Sequence, residues 1–186
     1  MLPHGAILSR RMGHPLLILL LFATLVALPA GADSIAGRDL PSGALLPAER
    51  VIVHKAERRM ELLRDGRTIA RYRVSLGLNP SGHKQREGDF RTPEGSYRLT
   101  RRNARSEFFL SVQVSYPESG DVALARRNGW APGGSIMVHG QPNVPRYPPD
   151  RYLSTDWTDG CIALSNEDML DFWLLTGADT PIEIHP

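Results

Sequence analysis

The chain has 186 residues, of which 41% are hydrophobic and 23% are charged, so it can form one domain with a substantial core. Its formal net charge is +2, from 22 Lys plus Arg against 20 Asp plus Glu, which excludes the strong basic excess typical of a nucleic-acid-binding surface. Its single cysteine excludes an internal disulfide, and with it a fold that depends on disulfide bonds.

The first 32 residues have the features of a secretory signal peptide. Arg10 and Arg11 give a positive start, residues 16–28 form an apolar run too short for a standard membrane span, and Ala30-Gly31-Ala32 is a small-residue cleavage site. We therefore expect an exported protein of the periplasm or cell envelope, with no stable membrane span after cleavage. The alternative is an uncleaved N-terminal anchor. Removing the two arginines leaves 20 basic and 20 acidic residues, so the mature chain would be near neutral.

A Gly-, Ala- and Pro-rich segment over residues 33–49 predicts a flexible lead-in to a domain spanning residues 50–186. Apolar and alternating runs then predict three strands, over residues 50–54, 59–64 and 68–76. Asp65-Gly66 joins the second strand to the third, and this dipeptide is a strong β-hairpin signal.

A long loop rich in glycine and proline follows over residues 77–95. Loops of this length inside a compact domain are usually functional or disordered, and its cations could face an anionic substrate: His83, Lys84, Arg86 and Arg91. A solvated charged loop is the alternative. Further strands are predicted over residues 96–100, 108–114, 136–138 and 181–184, and helices over residues 121–128 and about 166–175. The expected class is mostly β with one or two short helices.

Residues 135–164 hold the single cysteine, Cys161, and a histidine, His139, at the end of an apolar run. A thiol is an effective nucleophile only as the thiolate, which needs a nearby histidine, cation or exposed backbone N–H groups. Gly160 allows a tight turn before Cys161, and such a turn would point successive N–H groups at one spot, where they could stabilise an oxyanion. We interpret Cys161 as a nucleophile and His139 as its base on a neighbouring strand.

Each of these two residues also has an ordinary structural interpretation. A lone cysteine is most often a small buried hydrophobe, and a lone histidine beside an apolar run is most often a structural residue. Export favours a chemical role, because an unpaired thiol in an oxidising compartment is a liability that use explains better than packing does. A redox-sensing thiol is another alternative, although the chain has no second cysteine to resolve it.

His139-Gly140, followed after a spacer by Thr158-Asp159-Gly160-Cys161-Ile162, resembles the motif of the YkuD-type L,D-transpeptidases of bacterial cell-wall metabolism. The upstream segment Gly88-Asp89-Phe90-Arg91-Thr92-Pro93-Glu94-Gly95 is similar to the family's G-D-x-x-T-P-x-G segment. The resemblance covers roughly residues 50–186, and the two motifs in this order are specific. It implies the mostly-β, sandwich- or barrel-like YkuD fold.

The resemblance also implies a mechanism that needs no metal or organic cofactor. Cys161 would be the nucleophile and His139 the general base and then acid. Backbone amides of Gly160 and Cys161, with Asp159 as a third candidate, would form the oxyanion hole. The thiolate would attack the third residue of a peptidoglycan stem tetrapeptide, a diamino acid, and release the terminal D-alanine. The thioester would then pass to an amine of another stem peptide or to a lysine of a wall-linked protein.

Two positions depart from the family pattern. Many members carry histidine where this chain has Asp159, and arginine or asparagine where it has Ala163. The first change puts beside the thiol an acid that disfavours the thiolate, and the second removes a cation that could bind a substrate carboxylate. The Pro-rich spacer offers substitutes, so the candidate substrate-binding residues are Arg146, Tyr147, Arg151, Tyr152 and Trp157, together with Thr158 and Arg91.

Hydrolysis on the same scaffold competes with transfer as the function. With water as the acceptor, the enzyme would be an L,D-carboxypeptidase or a peptidase that detaches wall-linked protein. The sequence leaves these open, because acceptor choice depends on cleft shape and water access. A non-catalytic wall-binding module is a further alternative, against which the intact Cys161, His139 and Gly160 argue.

Overall fold

The structure is a computed structural model that describes residues 46–186. The predicted signal peptide (residues 1–32) and most of the predicted lead-in (residues 33–49) lie outside the described residues. At the end of that lead-in, Ala48 is buried, and its N–H donates a hydrogen bond to the Leu175 carbonyl at 2.6 Å. Among the helices of the described part, none is long and apolar enough to cross a membrane.

The described residues form eight strands and three helices. The strands are β1 (Arg50–His54), β2 (Arg59–Arg64), β3 (Arg67–Arg73), β4 (Gly95–Ser106), β5 (Phe109–Val114), β6 (Met137–His139), β7 (Ile162–Ala163) and β8 (Pro181–His185). The helices are α1 (Ser119–Arg127), α2 (Pro149–Ser154) and α3 (Asn166–Leu175). The strands make one mixed sheet in the order β3-β2-β1-β8-β4-β5-β6-β7, which confirms the predicted mostly-β class.

The first and last strands of this order come together. Ser75, just after β3, bridges Ala163 in β7 through two backbone hydrogen bonds of 2.9 and 2.8 Å. A second bridge joins Gly77 to Thr158. The sheet therefore closes in a barrel-like arrangement, and the closure fixes the chain on both sides of Cys161.

The core is built from alternate strand residues, because successive side chains of a strand point to opposite faces of the sheet. In β1, Val51 and Val53 are fully buried, and β8 repeats the pattern with Ile182 and Ile184. Helix α3 covers the core with Met169 and Phe172. As predicted, α3 begins after Ser165, whose hydroxyl accepts a hydrogen bond from the Asp168 N–H at 3.0 Å.

Three details differ from the sequence-based expectation. β3 ends at Arg73 rather than residue 76, because the next residues leave the sheet edge to make the closing bridge. β4 continues six residues past the predicted end, since pairing with β5 holds a segment of weak strand formers. Helix α2 was not predicted. It starts at Pro149, and the fixed φ of proline suits the first helical position.

Candidate active site

Two short parallel strands place Cys161 and His139 on the same face of the sheet. Val138 pairs with Ile162 and His139 with Ala163, so Cys161 lies beside Met137, two residues before His139. Both side chains line one cavity of about 340 Å³. The structure thus brings together the two residues that the sequence predicts as nucleophile and base.

His139 is held in one orientation by its own neighbour. Its Nδ1 lies 2.7 Å from the Gly140 carbonyl oxygen. A carbonyl oxygen can only accept, so Nδ1 carries the proton and Nε2 presents a lone pair. His139 is only 4% exposed, and burial lowers its pKa to about 4, although the Gly140 hydrogen bond acts in the opposite direction. The imidazole is therefore neutral at neutral pH and able to accept a proton.

Two aromatic rings pack against the imidazole. The centroid of Phe108 lies 4.7 Å from that of His139, and the centroid of Trp157 lies 5.6 Å away in an edge-on arrangement. Phe108 comes from the turn between β4 and β5, and Trp157 from the spacer before Cys161. Together they fix the ring plane and keep bulk water from one side of the base.

The Cys161 thiol is partly exposed and faces the cavity. Its Sγ donates a hydrogen bond to the Ser135 carbonyl at 3.6 Å. Burial raises the pKa of Cys161; the Met137 N–H and Lys84 act in the opposite direction, and the Asp159 carboxylate adds to the rise. The resting site therefore holds a neutral thiol and a neutral imidazole rather than an ion pair.

Position 160 requires glycine, both for its backbone conformation and for the lack of room for a side chain. Its φ is +133°, and a Cβ there would lie 2.6 Å from the Arg91 carbonyl oxygen. Its N–H donates to the Thr158 hydroxyl at 3.2 Å, and that hydroxyl donates to the Cys161 carbonyl at 2.7 Å. Thr158, a candidate substrate-binding residue, is buried and braces the turn. Of the three amides expected in the oxyanion hole, that of Gly160 is therefore already engaged within the turn.

The candidate substrate-binding residues of the spacer line a second cavity of about 630 Å³. These residues are Arg146, Tyr147, Arg151, Tyr152 and Trp157. Phe108 lines this cavity and the Cys161 cavity, so the two adjoin. The buried Tyr152 accepts a hydrogen bond from the Arg146 N–H at 2.8 Å, and Arg151 lies 4.6 Å over the Tyr147 ring. The exposed wall therefore combines aromatic surface with two cations.

The loop over residues 77–95 is shaped by internal bonds. Asp89 accepts hydrogen bonds from Lys84 Nζ and from the N–H groups of Gln85, Arg86 and Arg91. Lys84 is buried in this pair, so the expectation that it faces a substrate is wrong. Arg91 lines a separate cavity of about 390 Å³ with Trp130, outside the set of residues that surround the thiol.

Sequence reasoning missed the contribution of the β4–β5 hairpin. Its end supplies half of the residues that line the Cys161 cavity, namely Asn103, Arg105, Ser106, Glu107 and Phe108. These residues are polar apart from Phe108, a composition that carries no strand signal, so their place beside the thiol depends on the pairing of β4 with β5. Within residues 46–186, no group of three or more His, Cys, Asp or Glu side chains is arranged to hold a metal ion.

Fold and site together define a mostly-β domain with a thiol and an oriented imidazole on paired strands. The family model YkuD, the L,D-transpeptidase catalytic domain, matches residues 48–184. The chain belongs to this family, as its motifs predict.

Relatives and solved structures agree with this assignment. "Putative L,D-transpeptidase YafK" of Escherichia coli K12 is 30% identical over 138 residues, covering 68% of this chain and 46% of that protein. The chain thus spans about half the length of the curated relatives it matches. The helical cell shape determining protein Pgp2 of Campylobacter jejuni aligns with a TM-score of 0.55 and 26% identity, covering 72% of this chain and 46% of Pgp2. Bd1075 of Bdellovibrio bacteriovorus, at 23% identity, shares the fold with a TM-score of 0.52 over 78% of this chain and 52% of its own.

Proposed function

We propose that this protein is a cysteine-dependent L,D-transpeptidase that acts on peptidoglycan stem peptides in the cell envelope. The supporting observation is the pairing of Cys161 with His139 in one cavity, with the imidazole neutral and its Nε2 unprotonated. Membership of the L,D-transpeptidase family adds to this support.

The reaction begins from the neutral pair. The thiol hydrogen turns from the Ser135 carbonyl toward His139, and Nε2 removes it as Sγ attacks the carbonyl carbon of the donor's third residue. An imidazole with a pKa of about 4 is a weak base. The partly buried site also disfavours a thiolate that forms before the attack. Proton transfer coupled to attack avoids forming an isolated thiolate beside Asp159.

The attack creates a tetrahedral oxyanion that needs hydrogen-bond donors. The backbone amides of Cys161 and Asp159 are the candidates, since the Gly160 amide bonds to Thr158. Collapse of the intermediate breaks the bond to the terminal D-alanine, whose amine takes the proton from the imidazolium. The product is a thioester on Cys161, with proton and charge balanced and no cofactor required.

The second half of the reaction needs an amine acceptor, either another stem peptide or a protein lysine. The larger cavity suits the acceptor, because its aromatic rings and the exposed Arg146 and Arg151 can hold a peptide chain and its carboxylates. His139, neutral again, accepts a proton from the attacking amine as the thioester breaks and the thiol is restored.

Product analysis tests the proposal. The mature chain from Asp33 is incubated with disaccharide-tetrapeptide and the products are followed by mass spectrometry, beside Cys161→Ala. We expect D-alanine and a cross-linked dimer with the wild type and neither with the variant. Tripeptide without dimer would indicate hydrolysis instead of transfer, and the absence of both products would contradict an acyl-transfer function.

A further inference from the structure

We infer that the cavity of about 390 Å³ beside the loop over residues 77–95 binds a sugar that carries a carboxylate. In a cell wall, such a sugar is N-acetylmuramic acid whose lactyl carboxylate is free because its stem peptide has been removed. The inference goes beyond the proposed function, since neither Cys161 nor His139 lines this cavity. It takes from that function only the cell-wall setting.

Two of the four cations in the loop have no carboxylate partner among residues 46–186. Lys84 and His83 each lie beside a carboxylate, at 2.8 and 3.2 Å, whereas Arg86 and Arg91 form no ion pair there and both line the cavity. The Arg91 Nε is buried without a hydrogen-bond partner, and its Nη1 lies 3.5 Å from the His83 carbonyl oxygen. The other N–H groups of this guanidinium can therefore bind a carboxylate, the anion that matches their fork.

The carboxylate of Asp89 also lines the cavity, but its charge is already compensated. It accepts a hydrogen bond from Lys84 Nζ at 2.8 Å, and from the backbone N–H groups of Arg86 and Arg91 at 3.1 Å each. Because both arginine backbones are bonded to one carboxylate, the two side chains start from positions at a fixed separation. The cavity wall is thus positively charged and organised before a ligand binds.

Trp130 adds an aromatic ring to this wall. The guanidinium carbon of Arg86 lies 5.5 Å from the ring centroid. The Trp130 N–H donates to the Ala125 carbonyl of α1 at 2.9 Å, and the Glu87 N–H of the loop donates to the next carbonyl, that of Ala131, at 2.9 Å. These bonds hold the indole beside the loop, where its apolar surface can pack against the C–H face of a sugar ring.

The remaining polar side chains favour a sugar acid over an anion without a ring. Asn79 and Gln85 line the cavity, and their amides can both donate to and accept from hydroxyl and N-acetyl groups. The volume falls in the range of small-ligand sites. A sugar acid offers a carboxylate to the guanidiniums, a ring face to the indole and hydroxyl groups to the amides, whereas a small inorganic anion would use only the guanidiniums.

This cavity lies next to the turn that carries the nucleophile. A Cβ at position 160 would lie 2.6 Å from the carbonyl oxygen of Arg91, the residue whose side chain lines the cavity. A peptide-free sugar bound here would hold a glycan strand against the protein while a stem peptide elsewhere on that strand reaches Cys161.

NMR of the tryptophan indole N–H groups in the isotope-labelled Cys161→Ala chain tests the inference without turnover. The chain has three tryptophans, so the Trp130 signal is the one that Trp130→Phe lacks, and Trp157 reports on the cavity of about 630 Å³. The ligands are N-acetylmuramic acid, N-acetylglucosamine, which lacks the lactyl carboxylate, and lactate, which lacks the sugar. We expect N-acetylmuramic acid to shift the Trp130 signal and to bind about tenfold more tightly than either other ligand, the size of one charge-assisted contact.

Arginine variants test the two guanidiniums separately. Arg86→Gln and Arg91→Gln should each weaken the binding of N-acetylmuramic acid about tenfold and leave that of N-acetylglucosamine unchanged. Arg126→Gln is the matched control, because it removes a cation of α1 that lies close to Trp130 in sequence but does not line the cavity. This variant should keep the full preference for the sugar acid.

Three results would overturn the inference: equal affinity for the sugar with and without its carboxylate, lactate binding as tightly as the sugar acid, or a shift of the Trp157 signal alone. D-Alanine release by the protein that retains Cys161 is measured separately. Selective binding without release contradicts only the transpeptidase proposal, and release without selective binding contradicts only the sugar site.

Discussion

Replacing His139 with glutamine should remove much of the acid sensitivity of the folded domain between pH 7.5 and pH 4.5. Burial lowers the pKa of His139 to about 4 in the folded state, against 6.5 for a free histidine. Between these values the unfolded chain binds the proton and the folded chain does not. Stability from this group is thus complete above pH 6.5 and is lost as the pH falls toward 4.

The magnitude follows from the difference in pKa. Each unit is worth about 1.4 kcal/mol, so the full shift corresponds to about 3 kcal/mol, most of which is lost by pH 4.5. His139 is 4% exposed, so solvent screening reduces this free energy little. A loss of that size is a large fraction of the stability of an ordinary domain.

Urea unfolding, followed by tryptophan fluorescence, measures the effect at both pH values in wild type, His139→Gln and His185→Gln. We expect wild type and His185→Gln to lose about 2 to 3 kcal/mol more than His139→Gln does on acidification. His185 serves as the control because its side chain is half-exposed. Identical pH dependence in wild type and His139→Gln would refute the reasoning that a buried neutral imidazole lies at this site.

Three further predictions concern the residues around the thiol. Gly160→Ala should destabilise the domain by about 2 kcal/mol or more in urea unfolding, because of its positive φ and the 2.6 Å approach of a carbonyl oxygen. Gly120→Ala, in α1 with open space around it, should instead be neutral or slightly stabilising. Asp159→Asn should lower the pKa of Cys161, so iodoacetamide should alkylate the thiol faster at pH 7.5; an unchanged rate would contradict the effect of the carboxylate. Asn143→Ala removes two side-chain hydrogen bonds to the β4–β5 turn and should lower the free energy of unfolding by about 2 kcal/mol. It should also remove most of the turnover; full turnover would show that activity does not depend on these two bonds.

Local patterns predicted the parts of the fold that depend on local chemistry. β1 and β2 have the predicted bounds, and the turn at Asp65-Gly66 places both residues at positive φ, as a two-residue hairpin requires. The end of β4 could not be found in this way, because its strand conformation comes from pairing with β5. Helix α2 was hidden in a Pro-rich segment that is also typical of a loop.

The same division applies to the site. The motif around Cys161 and His139 gave the two residues of chemical interest, and the structure places them in one cavity. Their protonation states depend on tertiary structure: the Gly140 carbonyl fixes the imidazole, and burial lowers the pKa of His139 and raises that of Cys161. Arg105 lies past the predicted end of β4, and the structure places it among the residues that line the Cys161 cavity.

Formation of an acyl-enzyme is the most direct test of the roles proposed for Cys161 and His139. Intact-protein mass spectrometry after mixing with tetrapeptide should show an added mass equal to that of the tetrapeptide minus that of D-alanine. Peptide digestion should locate this adduct on Cys161. His139→Gln should form it far more slowly, and Cys161→Ala should not form it. Release of D-alanine by Cys161→Ala, or an adduct on another residue, would contradict the claim that Cys161 and His139 act together as nucleophile and base.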